Sequence, residues 1–102
     1  MAKLIALYKT PTDPAAFDDY YFNRHLPLAR GIAGLTGYEV SRGPVASPLG
    51  ASPYHMVATL SFASMDVLQT ALASPTGQAA AADLANFATG GVELLVFDDE
   101  AV

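Results

Sequence analysis

Apolar residues concentrate in four short stretches of the chain, each bounded by turn-forming residues. These stretches are residues 3–9, 36–42, 54–62 and 92–97. Their length and their content of β-branched and aromatic residues are typical of β-strands. In the first stretch Ile5 and Leu7 point to one face and Ala6 to the other, so both faces carry apolar side chains. The last stretch has the same character, and the pattern therefore predicts a sheet with two faces to bury.

Helix-start signals follow the first predicted strand. Asp13 is a suitable N-cap, and Pro14 fits the first helical position, where its missing N–H costs nothing. Pro27 removes a later backbone donor and disfavours helical geometry for the residue before it. The sequence therefore predicts a first helix from Pro14 to about His25, followed by a break or a kink at Pro27.

A second helical region lies between the third and fourth predicted strands. Ser64 is expected to cap a helix reaching about Ala73, and Ser74–Pro75 begins a further helix that ends near Thr89. The order βαββαβ predicts an α+β, ferredoxin-like domain over residues 1–102, with a four-stranded antiparallel sheet and helices on one face. Because helices cover only one face, we expect a homodimer in which a second copy covers the other.

The segment between the second and third predicted strands is unusually long for a hairpin. Residues 43–53 contain three prolines and two glycines, which is typical of an irregular loop. A hairpin connection needs only about 2–5 residues. We therefore expect this loop to project beyond the sheet and to contact the partner subunit or the mouth of a pocket.

Composition narrows the functional classes. The chain has 10 acidic and 5 basic side chains, a net charge of −5 and no cysteine. Nucleic-acid binding requires a basic patch, so it is not expected, and no apolar run approaches the ~20 residues of a membrane span. Nucleotide, flavin and metal-binding motifs are absent, so no cofactor is expected, although haem ligation by a single histidine stays open. We expect a cytoplasmic protein.

His25 is the main candidate for a chemical role. At about 100° per residue it lies at the centre of a helix face whose other members are apolar: Phe17, Tyr21, Phe22 and Leu26. One ring nitrogen is expected to bond a carbonyl freed by the proline break, which leaves the other nitrogen facing a cleft. His25 would then be a catalytic acid–base group or a ligand anchor. The alternative is a core histidine with both nitrogens satisfied by protein groups.

Aromatic residues are the candidates for ligand binding. Tyr8, Tyr21 and Tyr38, with Phe17, could line a pocket beside His25, although tyrosines at such positions are more often packing residues. A second group of polar residues has a weaker case for function. Asp18 and His55 are expected at the surface or an interface, and Arg24 and Arg30 could hold an anionic group or stay solvated.

One stretch resembles a known family. The opening strand, a proline-containing turn and the run Phe17-x-x-x-Tyr21-x-x-x-His25-Leu26-Pro27-Leu28 are similar to the start of EthD family proteins. The resemblance implies a ferredoxin-like protomer, a dimeric α+β barrel and a cleft between sheet and helices, with His25 at the recurrent histidine. It also implies a link to the degradation of ether compounds, often beside oxidoreductase genes. Related barrels act on aromatic polyketides, some as oxygenases without a cofactor.

Two functional hypotheses follow. The first is a cofactor-independent enzyme, associated with oxidoreductases or of lyase or isomerase type, in which His25 is the acid–base group for a small hydrophobic or aromatic compound. The second is a non-catalytic accessory protein that carries a hydrophobic ligand or stabilises a partner enzyme in a degradation pathway. An open cleft lined by tyrosines would favour the enzyme, and a filled core would favour the accessory role.

Overall fold

The computed structural model describes all residues, 1–102, and confirms the ferredoxin-like α+β fold. Its elements in chain order are β1 (Ala2–Lys9), α1 (Pro14–Tyr20), a π-helical turn (Tyr21–His25), α2 (Leu26–Arg30), β2 (Leu35–Val40), β3 (Tyr54–Phe62), α3 (Met65–Ala73), α4 (Pro75–Phe87) and β4 (Val92–Asp98). The antiparallel sheet has the strand order β2-β3-β1-β4, with its two longest strands, β3 and β1, at the centre. None of the helices has the length and apolar character needed to cross a membrane.

The sheet buries alternate residues against the helices. In β1 the buried positions are Ala2, Leu4, Ala6 and Tyr8, and in β3 they include Met56, Ala58, Leu60 and Phe62. The intervening residues face the helix-free side, where Ile5 pairs with Leu95 and Lys3 with Phe97. Leu95 is 50% exposed and Phe97 42% exposed. The predicted alternation is confirmed, and the helix-free face is apolar and uncovered in the protomer.

The helical segment that begins at Pro14 continues past the predicted break. A break at Pro27 does not occur, because the chain stays helical to Arg30. The backbone N–H of Leu26 donates to the carbonyl of Tyr21, which widens the turn to a π-helical one. Pro27 then occupies the second position of α2, where its missing donor is tolerated. The wide turn joins α1 and α2 into one continuous helical segment.

The π-helical turn also changes which side chains face the sheet. Regular α-helical spacing predicted Phe22 on the same face as Tyr21 and His25. In the structure Tyr21 and His25 are buried, whereas Phe22 is 46% exposed. Phe22 is therefore not part of the buried face that Tyr21 and His25 share.

Candidate functional site

His25 lies at the end of the π-helical turn, with its side chain 6% exposed. Its Nδ1 atom lies 2.9 Å from Oδ2 of Asp83 on α4. The expected backbone carbonyl partner was wrong, and a carboxylate from another element takes that place. Asp83 Oδ1 also accepts hydrogen bonds from the Tyr20 hydroxyl at 2.6 Å and from Asn86 Nδ2 at 2.9 Å. The carboxylate is therefore held in place by three donors.

The state of Asp83 decides the tautomer of His25. Burial by itself would raise the pKa of Asp83, but the hydrogen bonds from Tyr20, Asn86 and His25 outweigh it and bring the pKa below its usual range. An ionised carboxylate only accepts hydrogen bonds, so the Nδ1 atom of His25 carries the proton. In the neutral ring Nε2 is then the acceptor. This atom has no protein partner and is not sealed from solvent, and His25 lines the adjoining cavity.

The inner cavity beside His25 is small and apolar. Its volume is about 70 Å³, and 14 of its 16 lining residues are hydrophobic. It lies between the helix-facing side of the sheet and the helices, and its lining includes Tyr8, Tyr21 and Tyr38. Leu72 and Leu94, which are 37% and 49% exposed, lie where the cavity reaches the surface. The structure thus brings together His25 and the three predicted tyrosines.

The tyrosines supply hydroxyl groups in an environment that favours their protonated form. The hydroxyls of Tyr21 and Tyr38 are 2.6 Å apart and hydrogen-bonded to each other. Burial raises the pKa of Tyr8, Tyr21 and Tyr38 above the usual tyrosine range. All three are therefore phenols at neutral pH and can donate a hydrogen bond, but they do not serve as phenolate bases.

Phe17 does not line the inner cavity, although the sequence pointed to it as a ligand contact. Its ring packs between Tyr8, at a centroid distance of 5.3 Å, and Phe87, at 5.2 Å. Tyr21 stacks on it at 6.0 Å. Phe17 is therefore a packing residue, whose ring contacts hold Tyr8 and Tyr21 in place.

Asp83 is the residue that sequence reasoning missed. It is the one charged residue in α4, whose sequence PTGQAAAADLANF is otherwise small, polar or apolar. It follows Ala80 by three positions and precedes Phe87 by four, and both of these are buried. A lone carboxylate on the buried stripe of a helix is the signal that could have identified it.

The remaining charged candidates lie away from this pair. Arg24 and Arg30 are exposed and form no ion pair. Arg30 lies near enough to Tyr38 to oppose the rise in its pKa. Asp18 and His55 pair with each other, with Asp18 Oδ1 2.7 Å from His55 Nε2, and neither contacts His25. No group of three histidine, cysteine, aspartate or glutamate side chains is placed to hold a metal ion.

The fold and this site define a small ferredoxin-like α+β protein with a histidine-containing cavity between sheet and helices. The family model of the EthD domain matches residues 9–91. The chain therefore belongs to the EthD family. A curated relative from Rhodococcus erythropolis, named as an uncharacterized 11.0 kDa protein of the thcB–thcC intergenic region, is 40% identical over 102 residues, covering 100% of this chain and 98% of the relative.

Solved structures agree with this assignment. An ethyl tert-butyl ether D (EthD) family protein from Bacillus halodurans superposes with a TM-score of 0.89 at 38% identity, covering 98% of this chain and 99% of that one. SnoaB, a cofactor-independent oxygenase from Streptomyces nogalater, superposes with a TM-score of 0.70 at 18% identity, covering 99% and 94%. A Bacteroides fragilis protein of TM-score 0.67 and 16% identity, covering 96% and 95%, is described as dimeric. The last two likenesses establish the fold alone.

Proposed function

We propose that the inner cavity binds the reactive end of a small hydrophobic, aromatic or carbonyl-bearing compound and that His25 is its general acid–base group, without a cofactor. One observation carries this proposal. The Nδ1 atom of His25 is fixed by Asp83, Nε2 has no protein partner, and His25 lines an apolar cavity. A core histidine serving only stability would be expected to have both nitrogens satisfied by protein groups.

The arrangement supplies the parts of a proton transfer. Neutral His25 accepts a proton at Nε2 from a carbon acid or hydroxyl of the compound, and Asp83 stabilises the imidazolium that results. The same nitrogen returns the proton in a later step. The hydroxyl of Tyr21 or Tyr38 donates a hydrogen bond to a carbonyl oxygen on which negative charge develops. A positioned base of this kind contributes roughly 10²–10⁴-fold in rate.

Cavity size limits what can enter. A volume of about 70 Å³ is well below the ~150 Å³ of an engineered cavity that binds benzene. A whole aromatic compound therefore does not fit in the closed protomer. One end enters beside His25, and the rest projects past Leu72 and Leu94, whose partial exposure leaves an apolar rim.

The non-catalytic alternative rests on the same small apolar lining. Since 14 of 16 lining residues are hydrophobic, the cavity can hold an apolar group by burial alone, with His25 only as an anchoring hydrogen-bond acceptor. Against this alternative stands Asp83, because an anchor needs no carboxylate behind it. SnoaB, with the same fold, is described as an oxygenase without a cofactor, which supports the catalytic form of the proposal.

We also propose that the protein is a homodimer joined through the helix-free face of the sheet. Leu95 and Phe97 are about half exposed on this face and continue the apolar surface of Ile5. Burying such a surface against a second copy removes apolar area from water. The dimeric description of a structural neighbour with the same fold supports this assembly.

The experiment that tests the catalytic proposal is solvent deuterium exchange. Acetophenone, an aryl ketone with exchangeable protons beside its carbonyl, is incubated with the protein in heavy water and followed by NMR. We expect exchange above the buffer rate, lost in His25→Asn and retained in His55→Asn as the matched control. Binding without exchange would favour the accessory role. If acetophenone neither binds nor undergoes exchange, the proposal is contradicted for this class of compound.

A further inference from the structure

A wide surface depression lies apart from the inner cavity. We call it the outer groove. It has a volume of about 680 Å³ and lies at the end of the sheet, between α1, the residues after β2 and the loop 43–53. The outer groove and the inner cavity share no lining residue. Phe17 separates them, because its ring contacts His55 on the groove side and Tyr8 on the other.

His55 reaches the outer groove through a β-bulge. Tyr8 pairs with Met56, but the next residue of β1, Lys9, pairs with Tyr54, so His55 has no partner across the strands. In a regular strand His55 would point to the helix-free face, opposite to Met56. The bulge turns its side chain toward α1 instead. Bulges that redirect one side chain in this way are frequent next to functional sites.

On α1 the His55 ring meets a carboxylate. Its Nε2 lies 2.7 Å from Oδ1 of Asp18, and its ring stands edge-on to Phe17 at 5.0 Å. Asp18 accepts the Nε2 proton, so in the neutral ring Nδ1 is a free acceptor. His55 is 22% exposed at its side chain, and Nδ1 has no protein partner. This is a second histidine–carboxylate pair, held by the opposite ring nitrogen from that of His25.

The outer groove also contains an unpaired cation beside an apolar surface. Lys3 and Lys9 are paired with acidic residues, whereas Arg42 in the groove forms no ion pair. In a chain of net charge −5, a cation without an ion-pair partner attracts anions locally. Arg24 and Arg30 are also unpaired, but they lie outside the groove. The apolar part of the lining is Phe22, Val40, Pro44, Val45 and Met56. Phe22, in the π-helical turn, is 46% exposed.

We infer that the outer groove is a second binding site, for a small hydroxylated aromatic acid. The aromatic ring packs on Phe22, the carboxylate pairs with Arg42, and the hydroxyl donates a hydrogen bond to Nδ1 of His55. Asp18 is a positioning residue, because it holds His55 in the tautomer whose Nδ1 accepts. The site uses no residue of the inner cavity, and the proposal does not depend on the role of His25.

The test uses 4-hydroxybenzoate, with binding measured by NMR titration of the whole protein. We expect Arg42→Gln to weaken binding roughly tenfold to a hundredfold, since a charge-assisted hydrogen bond is lost. Arg24→Gln is the matched control, an exposed arginine outside the groove, and is expected to change nothing. Equal effects of the two arginine variants would overturn the proposal.

Further arms separate the two sites. His55→Gln and His55→Phe are both expected to weaken binding of 4-hydroxybenzoate and to have less effect on benzoate, which lacks the hydroxyl. His25→Asn is expected to leave both affinities unchanged. Loss of binding in His25→Asn with no effect of His55 would place the compound in the inner cavity and overturn the proposal.

The role of Asp18 has its own readout. Nitrogen chemical shifts of the His55 ring report which nitrogen carries the proton, and this does not depend on global stability. We expect the wild type to carry it on Nε2 and Asp18→Asn to lose that preference together with affinity. A ring whose tautomer and affinity are both unaffected by Asp18→Asn would show that Asp18 does not position it.

Discussion

His25 Nδ1 and Asp83 Oδ2 lie 2.9 Å apart, although 58 residues separate them in the chain. The π-helical turn presents the imidazole from one element and the buried stripe of α4 presents the carboxylate from another. The pair lies 6% and 12% exposed at its side chains. Because Asp83 holds the proton of Nδ1, Nε2 is the nitrogen of His25 that is left without a protein partner, in a residue that lines the inner cavity.

The first prediction concerns the stability that Asp83 contributes. Asp83→Ala leaves the Tyr20 hydroxyl and His25 Nδ1 without their acceptor, and we expect it to lower the free energy of unfolding by about 1–3 kcal/mol at neutral pH. Denaturant titration measures this difference. Asp19→Ala, which removes an exposed carboxylate, is the control and is expected to change stability by less than ~0.5 kcal/mol.

The wild type and Asp83→Ala also test how the stabilising effect of Asp83 depends on pH. The pKa of Asp83 is lowered in the folded state, so its contribution is fully present above the ordinary value of about 3.9 and is lost as the pH falls through the lowered folded value. We expect the difference in the free energy of unfolding between wild type and Asp83→Ala to narrow as the pH falls below about 3.9. A constant gap from neutral to strongly acidic pH would contradict an ionised Asp83.

The second prediction concerns alkaline pH. All five tyrosines have raised pKa values, through burial for Tyr8, Tyr21 and Tyr38 and through hydrogen bonds to carboxylates for Tyr20 and Tyr54. A raised folded pKa contributes stability below the unfolded value of about 10 that is lost as the pH rises through the folded value. Above a pH of about 10 we expect the tyrosines to ionise as the protein unfolds. Tyrosinate absorbance measures the ionisation, circular dichroism measures the unfolding, and the two should change together. Ionisation of all five tyrosines near the ordinary value in a folded protein would be the contrary result.

The third prediction concerns Gly77, which lies in the first turn of α4 and lines the inner cavity. A Cβ atom there would overlap the backbone carbonyl of Ala71 and lie 3.0 Å from the Cα of Leu72. We expect Gly77→Ala to destabilise the protein by about 1–3 kcal/mol, because backbone must move. Gly37→Ala is the matched control. Its new Cβ would lie 3.6 Å from Ser61, an ordinary contact, so thermal unfolding should change little.

The fourth prediction tests the proposed homodimer. Phe97→Glu places a charge on the helix-free face, and we expect it to weaken self-association at least ~30-fold, as for a central interface residue. Val67→Glu, at a residue of α3 that is 37% exposed on the helical side of the protomer, is the control and should not change the association. Sedimentation equilibrium measures both. A wild-type protein that is monomeric at micromolar concentration would refute the dimer itself.

Local signals in the sequence determined the elements and the fold. Asp13, Ser64 and Ser74 each accept a hydrogen bond from the backbone N–H three residues ahead, as their positions before helices predicted. The alternation that placed Ile5 and Leu7 on one face of β1 and Ala6 on the other is present in the structure. These features depend on residues within a turn or a strand of each other, so the printed chain contains the information they need.

The partners of the two histidines were decided by tertiary structure. His25 meets Asp83 at a separation of 58 residues, and His55 meets Asp18 at a separation of 37. Each contact depends on a local irregularity, the π-helical turn for His25 and the β-bulge for His55. Such irregularities arise where helices and strands must pack against one another, and a regular helical or strand period therefore misdirects these side chains.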